Sequence, residues 1–300
     1  MRPDLQSRGV ITLERSRTSD YVTLTKPELT FLSILTAVGG AYLAGVHDVA
    51  FNALILLHVF SGTLLVGAGA GTLNQYMERS YDALMKRTEN RPIPSGRVSA
   101  TEALAFGLAL SMAGLLYLAL FINLFAAGLG LLTLGSYLLL YTPLKRVTWY
   151  STIVGGLPGA LPPVLGWVAV KNEISSGSLV LFVILFAWQM PHFFSLAWLY
   201  RADYKKAGFP MLPVLDKDGT RTGAQILFYC TGLLVASTLL AGVAGLGSVY
   251  FYGSLIVGSA FLLIGADFFR TKSNASARRL FLASLVYLPA LLAVVVADQL

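Results

Sequence analysis

The chain has 300 residues, of which 56% are apolar and only 12% are charged, and its formal net charge is +7. A soluble protein of this size would carry about twice that charged fraction, so the composition excludes an ordinary soluble globular protein. Long apolar segments recur from Glu28 onward, many near the roughly 20 residues that cross a bilayer. We therefore predict an all-α, polytopic membrane protein.

The predicted chain begins with a polar N-terminal tail, residues 1–27, and continues as one transmembrane domain, residues 28–300. The tail has no apolar core and so is not a secretory signal, and Asp4, Glu14 and Asp20 argue against a mitochondrial transit peptide. The apolar runs predict nine membrane-spanning helices: 28–46, 52–78, 101–121, 124–141, 151–170, 178–200, 223–245, 249–269 and 279–297.

Lysine and arginine residues are distributed very unevenly between the two sides of the predicted domain. Of the 22 Lys and Arg residues, all except Lys171 lie in the tail or in loops on the same side as the tail. Under the positive-inside rule the tail is cytoplasmic, and after nine spans the C-terminus lies on the opposite side. This distribution explains the basic charge without a nucleic-acid partner. The short tail favours a bacterial inner membrane over a mitochondrial one.

The stretch NQYMERSYDALMKRTENRPIPSGR, at the cytoplasmic end of the second span, carries the first candidate site residues. Asn74, Glu78 and Asp82 are four residues apart. Because four residues turn a helix by about 400°, the three side chains share one face. Amide and carboxylate oxygens are the hard ligands that Mg²⁺ favours, commonly together with substrate phosphates. The three residues are therefore candidate metal ligands.

Cations follow these oxygen ligands directly. Lys86, Arg87 and Arg91 precede a proline turn. A row of acids followed by a row of bases suits a metal-bridged diphosphate, whose outer oxygens the cations would neutralise. The alternative interpretation is a solvated helix end with salt bridges between residues four positions apart.

A second acid-then-base stretch lies at the cytoplasmic end of the sixth span, in HFFSLAWLYRADYKKAGFPMLPV. Asp203 is followed by Lys205 and Lys206 and then by a proline turn. The same order of features occurs at the end of the second span, which indicates a weak internal duplication. Two such halves facing each other would form one site between them, with Asp203 as a fourth metal ligand.

A third basic cluster, YTPLKRVT, follows the fourth span. Lys145 and Arg146 are candidate diphosphate ligands, and Tyr141 would either hydrogen-bond a phosphate or anchor the helix at the membrane interface. Together the three stretches predict a cytoplasm-facing pocket for a metal–diphosphate beside an apolar cavity. An isoprenyl diphosphate fits such a site. The reaction indicated is loss of diphosphate to give an allylic cation in a site that excludes water.

At these residues the sequence resembles the UbiA superfamily of intramembrane prenyltransferases, and in particular its heme-modifying branch. Many relatives have an aspartate at the middle of the N-x-x-x-D-x-x-x-D pattern, and Glu78 there is typical of the heme branch, as are YTPLKRVT and WQMPHFFSLAWLYRADYKKAGFPMLPV. The resemblance, over about residues 24–297, implies nine transmembrane helices around a central cavity. It implies Mg²⁺ as cofactor, farnesyl diphosphate and heme B as substrates, and heme O as product. A heme A synthase or a terminal oxidase assembly would be a candidate partner.

The resemblance also implies roles for individual residues. The first metal–diphosphate motif would consist of Asn74, Glu78 and Asp82, its basic followers of Lys86, Arg87 and Arg91, and the loop cations of Lys145 and Arg146. Asp203 stands in the second motif. Quinone-type members carry several aspartates there, whereas this chain has only Asp203, which weakens the prediction of a second metal ion.

His192 is a candidate heme ligand. It lies inside the sixth span, about three turns before Asp203, on a helix rich in aromatic residues, and histidine commonly holds heme iron. The alternatives are a hydrogen-bonded structural histidine or one that handles the proton of the added water. A structural partner is easy to provide, because Pro191 frees backbone carbonyls nearby.

Two other functions compete with this interpretation. A UbiA-type aromatic or quinone-precursor prenyltransferase would require more acids near Asp203 and would not need His192. A transporter of an amphipathic solute would place charges near the bilayer midplane. Here the acids lie at helix ends on one side of the membrane, which favours an enzyme supplied from the cytoplasmic leaflet.

Overall fold

Helices are the only regular elements in residues 16–46 and 52–299, the part of the chain that the computed structural model describes. In chain order they are α1 (Arg17–Leu24), α2 (Pro27–Gly45), α3 (Leu54–Asp82), α4 (Ala100–Phe121), α5 (Leu124–Gly135), a π-helical segment (Ser136–Tyr141), α6 (Thr142–Leu144), α7 (Ser151–Lys171), α8 (Ser176–Leu199), α9 (Arg201–Lys206), α10 (Leu212–Leu215), α11 (Thr220–Val243), α12 (Ser248–Thr271) and α13 (Asn274–Asp298).

Within the described residues, nine helical segments are long and apolar enough to cross a membrane. They are α2, α3, α4, the continuous segment from α5 to α6, α7, α8, α11, α12 and α13. The predicted all-α, multi-pass membrane protein is thereby confirmed. The helix ends differ by a few residues from the prediction. In particular, the second span continues to Asp82 and the last span begins at Asn274.

The segment that the sequence predicts as a polar tail contributes the short helix α1. Residues 1–15 lie outside the described part of the chain. From residue 16 onward the segment packs on the transmembrane domain, where Leu24 is fully buried against Ile93, Val98 and Ala103. The chain between α1 and α2 is therefore held close to the C-terminal end of α3.

Helix α7 lies at the centre of the bundle, between two hydrophobic clusters. One cluster joins α7 to the helices before it, and the other joins it to α8 and the helices after it. Membrane helices associate through close packing of small residues, because lipid offers no hydrophobic drive between them. Such packing occurs between α2 and α7, where a Cβ atom on Gly40 would collide with the carbonyl group of Pro163 and one on Gly166 with the carbonyl oxygen of Ala37.

Gly166→Ala is expected to destabilise the protein by about 1–3 kcal/mol, because the added methyl group must push α2 away from α7. The measurement is the apparent melting temperature of the purified protein in detergent. The matched control is Gly128→Ala on the exposed side of α5, where a Cβ would meet nothing within 4 Å. Equal melting temperatures for the two variants would contradict the close approach of α2 and α7.

Candidate active site

Helix α3 carries the three candidate metal ligands on its buried side. Asn74, Glu78 and Asp82 are only 1%, 4% and 1% exposed, and all three lie within the same continuous helix. A buried carboxylate is costly unless it is paired. Next to each of these three side chains lies a cation that comes from a different part of the chain.

Lys145, which follows α6, is the partner of Glu78. Its Nζ lies 3.1 Å from Glu78 Oε1 and 5.1 Å from the centre of the Phe209 ring. Burial alone would lower the pKa of Lys145, but Tyr141 and the Glu78 carboxylate outweigh it and raise that pKa above its ordinary value. Lys145 therefore remains a cation between the first motif and the segment after α9.

Arg91, in the loop between α3 and α4, is the partner of Asp82. Its Nη1 lies 2.7 Å from Asp82 Oδ2. The loop is turned back towards the helix end by the Thr88 hydroxyl, which donates to the backbone carbonyl of Asp82 at 2.8 Å, and by the amide of Arg91, which donates to the carbonyl of Thr88. Of the three cations predicted in this stretch, Lys86 and Arg87 are exposed.

Lys26, which the sequence did not single out, is the partner of Asn74. Its ammonium donates to Asn74 Oδ1, while Asn74 Nδ2 donates to the Thr142 hydroxyl at 3.0 Å. Burial and the nearby Arg91 lower the pKa of Lys26 to about 7. The only sequence signal was a lone lysine directly before the proline that opens the first span. Nothing in the sequence connected it with a residue 48 positions later.

The π-helical segment positions the residues of the fourth span that reach this site. π-Helical turns are rare and occur frequently at functional sites. Here the segment ends at Tyr141, whose ring stacks on Tyr137 with 5.6 Å between centroids. The next residue, Thr142, receives the hydrogen bond from Asn74. The absence of a side chain at Gly155 leaves room for the Tyr141 ring, because a Cβ there would lie 2.6 Å from a ring carbon.

Arg146, a predicted diphosphate ligand, contacts α3 through both a hydrogen bond and a ring. Its Nη2 donates to the Met77 carbonyl at 3.1 Å, and its guanidinium lies 3.9 Å from the centre of the Tyr81 ring. Arg146 thus fastens the segment after α6 to α3.

The second motif departs from the prediction, because the structure does not bring Asp203 to Asn74, Glu78 and Asp82. Asp203, Lys205 and Lys206 are exposed on the short helix α9. Helix α8 stops at Leu199, so these residues do not continue its inward face. In the described part of the chain, no group of three or more His, Cys, Asp or Glu side chains is placed to hold a metal ion.

The second motif reaches the site through an aromatic residue instead of an acid. Phe209 is buried and belongs to a cluster with Met211 and Ala197, against which Tyr81 and Met85 of the first motif pack. The ring of Phe209 also lies near the ammonium of Lys145. The two motifs are therefore in contact, as the internal duplication predicted, although not through their carboxylates.

His192 lies between α8 and α13, apart from the charged cluster. Its Nδ1 is 2.8 Å from Ser284 Oγ, and its ring packs on Trp188 and Phe281 with 5.3 and 5.0 Å between centroids. The Ser284 hydroxyl donates its own proton to the Phe281 carbonyl at 2.6 Å. With the Ser284 proton on that carbonyl, the matching tautomer of His192 donates through Nδ1–H and keeps a lone pair on Nε2.

A clamp formed by α3 and the following loop holds α1 and the turn after it in place. Arg97 Nε lies 2.9 and 3.1 Å from the two carboxylate oxygens of Asp20, which is 2% exposed. Gln75 Nε2 donates to the carbonyls of Thr23 and Leu24 at 2.8 and 3.2 Å. These contacts determine where Lys26 enters the site.

Comparison with known proteins identifies relatives along almost the whole chain. The sequence profile of the UbiA prenyltransferase family matches residues 33–288. A relative from Solibacter usitatus (strain Ellin6076), named protoheme IX farnesyltransferase, is 44% identical over 288 residues, which cover 93% of this chain and 98% of that protein. A relative of the same name from Myxococcus xanthus (strain DK1622) is 44% identical over 282 residues, covering 94% of this chain and 95% of that protein.

Solved structures share the fold at much lower identity. One, described as "Structural and mechanistic insights into the biosynthesis of Digeranylgeranylglyceryl phosphate synthase in membranes", has a TM-score of 0.79 and 19% identity, and the match covers 94% of this chain and 98% of that one. A UbiA homolog from Archaeoglobus fulgidus bound to GPP and Mg²⁺ has a TM-score of 0.62 and 15% identity, with 93% and 100% covered. The UbiA-like fold expected from the sequence is thus confirmed.

Arg97→Met is expected to destabilise the protein by about 1–3 kcal/mol, because it leaves the buried Asp20 carboxylate without its partner. The apparent melting temperature in detergent measures the effect. Arg17→Met is the matched control, since the Arg17–Glu102 pair is 73% and 41% exposed and should contribute less than about 1 kcal/mol. If Arg17→Met lowered the melting temperature as much as Arg97→Met, the buried Asp20–Arg97 ion pair would contribute no more to stability than an exposed one.

Proposed function

Because the chain belongs to the UbiA prenyltransferase family, we propose that it transfers the farnesyl group of farnesyl diphosphate to a vinyl group of heme B. Water adds in the same reaction, and the products are heme O and diphosphate. The observation that carries this proposal is the buried row of Asn74, Glu78 and Asp82, with one basic side chain beside each of the three residues. The near full-length relatives named protoheme IX farnesyltransferase support heme as the acceptor.

The α3 residues fit a magnesium ion by the chemistry of their donor atoms. One amide and two carboxylates supply hard oxygens, and the ion pairs that Lys145 and Arg91 form with the two carboxylates support a place for positive charge there. When bound, Mg²⁺ would supply positive charge that stabilises the departing diphosphate. Asn74, Glu78 and Asp82 would hold it. Asp203 is left out of this ligand set because it is exposed on α9.

Basic side chains around this row would hold the diphosphate itself. Lys145 and Arg91 already lie inside the site. The Nζ atom of Lys145 is 6.0 Å from the centre of the Tyr141 ring. Lys86 and Arg87 are exposed after the end of α3, where they would meet the outer oxygens or attract the anion from the cytoplasm. The exposed Lys205 and Lys206 would act in the same way from α9.

The proposed reaction balances without an oxidant or reductant. The C1–O bond of farnesyl diphosphate breaks, and its electron pair leaves with the diphosphate that the cations stabilise. The heme vinyl π electrons form the new carbon–carbon bond with farnesyl C1. The oxygen of water bonds to the resulting cation beside the heme ring and releases one proton. Apolar spans around the site would keep water from the farnesyl cation until the vinyl group has reacted.

The same proposal places the charged site at the cytoplasmic leaflet of a bacterial inner membrane, with the N-terminus in the cytoplasm. The concentration of Lys and Arg on one side of the spans supports this orientation. Heme O would then pass to a heme A synthase or to a terminal oxidase assembly within the same membrane.

His192 is proposed as the residue that ligates the heme iron. A ligating histidine usually donates its other ring nitrogen to a fixed acceptor, which sets the tautomer and the ring orientation. His192 has that arrangement, with Nδ1–H on Ser284 and Nε2 available. The aromatic side chains of Trp188 and Phe281 would pack against the porphyrin edge in the same region.

Glu78→Gln is expected to lower the turnover of farnesyl diphosphate and heme B to heme O by about 100-fold or more, since it removes a charge that holds the metal–diphosphate. Purified protein is assayed in detergent with Mg²⁺, and heme O is detected by its added mass. A chelator should stop the wild-type reaction, and excess Mg²⁺ should restore it.

Glu173→Gln is the matched control, because Glu173 is exposed in the loop between α7 and α8. It should react at the wild-type rate. Heme O formation by Glu78→Gln at that same rate would overturn the assigned site. Prenylation of an aromatic acid in place of heme would overturn the acceptor and support a quinone-precursor enzyme, whereas solute flux without prenyl transfer would support a transporter.

His192→Phe is expected to shift the Soret band of bound heme, because the iron loses its nitrogen ligand while the aromatic packing is kept. The absorption spectrum of the purified protein with added heme B measures this change. His58→Phe provides the control, since His58 is also inside a span and bonds the Tyr117 hydroxyl at 3.0 Å. A spectrum that changes with His58→Phe and not with His192→Phe would reverse the assignment.

A further inference from the structure

The lysine at the turn between α1 and α2 sits at the charged site with a neutral partner. Glu78 and Asp82 are carboxylates, so Lys145 and Arg91 each neutralise the residue they contact. Lys26 instead donates to the amide oxygen of Asn74, which carries no charge. When Lys26 is protonated, three cations therefore face two carboxylates at the end of α3. Such an excess of positive charge is what an incoming anion requires.

The chain around Lys26 is shaped to bring its backbone against α3. Lys26 has a φ of +49°, in the left-handed region that residues with a side chain seldom adopt. Gly71 lets the turn approach, since a Cβ there would lie 2.9 Å from the carbonyl oxygen of Thr25. The hydroxyl of Thr30 donates to that same carbonyl at 2.9 Å. The close packing on Gly71 and the hydrogen bond from Thr30 hold this strained turn in place, and the turn positions the Lys26 ammonium beside Asn74.

We propose that Lys26 is a further binding residue for the diphosphate of the prenyl substrate, and that it occupies Asn74 Oδ1 until the metal–diphosphate takes its place. This inference rests on the proposed function of the α3 site. Asn74 remains anchored through its Nδ2 donation to Thr142, so its oxygen is presented to the site when the ammonium moves away. Lys26 then contacts a diphosphate oxygen, alongside Lys145 and Arg91. A merely structural role would instead make Lys26 a tie between the turn and α3.

Substitution by glutamine separates the two roles, because Lys26→Gln keeps a hydrogen-bond donor for Asn74 and removes the charge. The full-length protein in detergent is titrated with inorganic pyrophosphate in the presence of Mg²⁺, and Kd is measured by calorimetry. We expect Kd to rise about tenfold or more in Lys26→Gln, the loss of one charge-assisted contact. Lys26→Arg, which keeps the charge, should restore binding to within about threefold of wild type.

Lys272→Gln is the matched control. Lys272 also has a left-handed backbone, with a φ of +47°, and its ammonium donates to the Thr220 hydroxyl at 2.8 Å on the exposed surface. It should bind pyrophosphate as the wild type does. The melting temperature of every variant is measured beside Kd, and Lys26→Met serves in place of Lys26→Gln if the glutamine variant does not fold.

The outcomes distinguish this inference from the function on which it rests. Wild-type protein that shows no Mg²⁺-dependent binding of pyrophosphate would overturn the proposed function of the site. If the wild type binds and the folded, uncharged Lys26 variant binds equally well, Lys26 is only a structural tie and the inference fails. Weaker binding in Lys26→Gln with recovery in Lys26→Arg, at unchanged melting temperatures, supports it.

Discussion

Two carboxylates buried at the end of a membrane helix each need a neighbouring cation, and this need determines how the rest of the N-terminal half is arranged. Glu78 and Asp82 are almost inaccessible to solvent, and each is stable only because a cation reaches it from another segment. The loop after α6 supplies Lys145, and the loop between α3 and α4 supplies Arg91. Helix positions, loop turns and the α1 clamp therefore all converge on one end of α3. This is the opposite of a solvated helix end, where the same residues would pair loosely among themselves.

Small residues and irregular helix geometry make this convergence feasible within the bundle. Glycines of α2 and α7 allow two backbones to come into contact, and Gly155 accommodates the ring of Tyr141. The packing thereby brings elements that are distant in sequence to one charged cluster. The apolar helices determine the location of that cluster, and the polar residues determine its chemistry.

Features that depend on local sequence were predictable, and features that depend on distant parts of the chain were not. The spans followed from apolar runs, and the shared face of Asn74, Glu78 and Asp82 followed from helix periodicity, because both properties are encoded within a few turns. The partner of Asn74 depends on a left-handed turn at Lys26, which the residue type disfavours and the surrounding contacts enforce. The exposure of Asp203 depends on where α8 stops, and a helix end is difficult to locate inside an aromatic, mostly helix-compatible segment. Phe209 carried no signal that distinguished it from other aromatic residues.

The π-helical segment from Ser136 to Tyr141 has a consequence for how this protein can vary in evolution. A π-turn holds one residue more than an α-helical turn spanning the same part of the axis. Deleting a single residue within this segment would return it to a regular α-helix without rotating the residues that follow, whereas the same deletion in a regular α-helical turn would rotate them by about 100°. Thr142 and Lys145 would keep facing α3 in the first case and would turn away from it in the second. Single-residue length differences between functional homologues are therefore expected at the π-helical segment and not in the regular turns of α5.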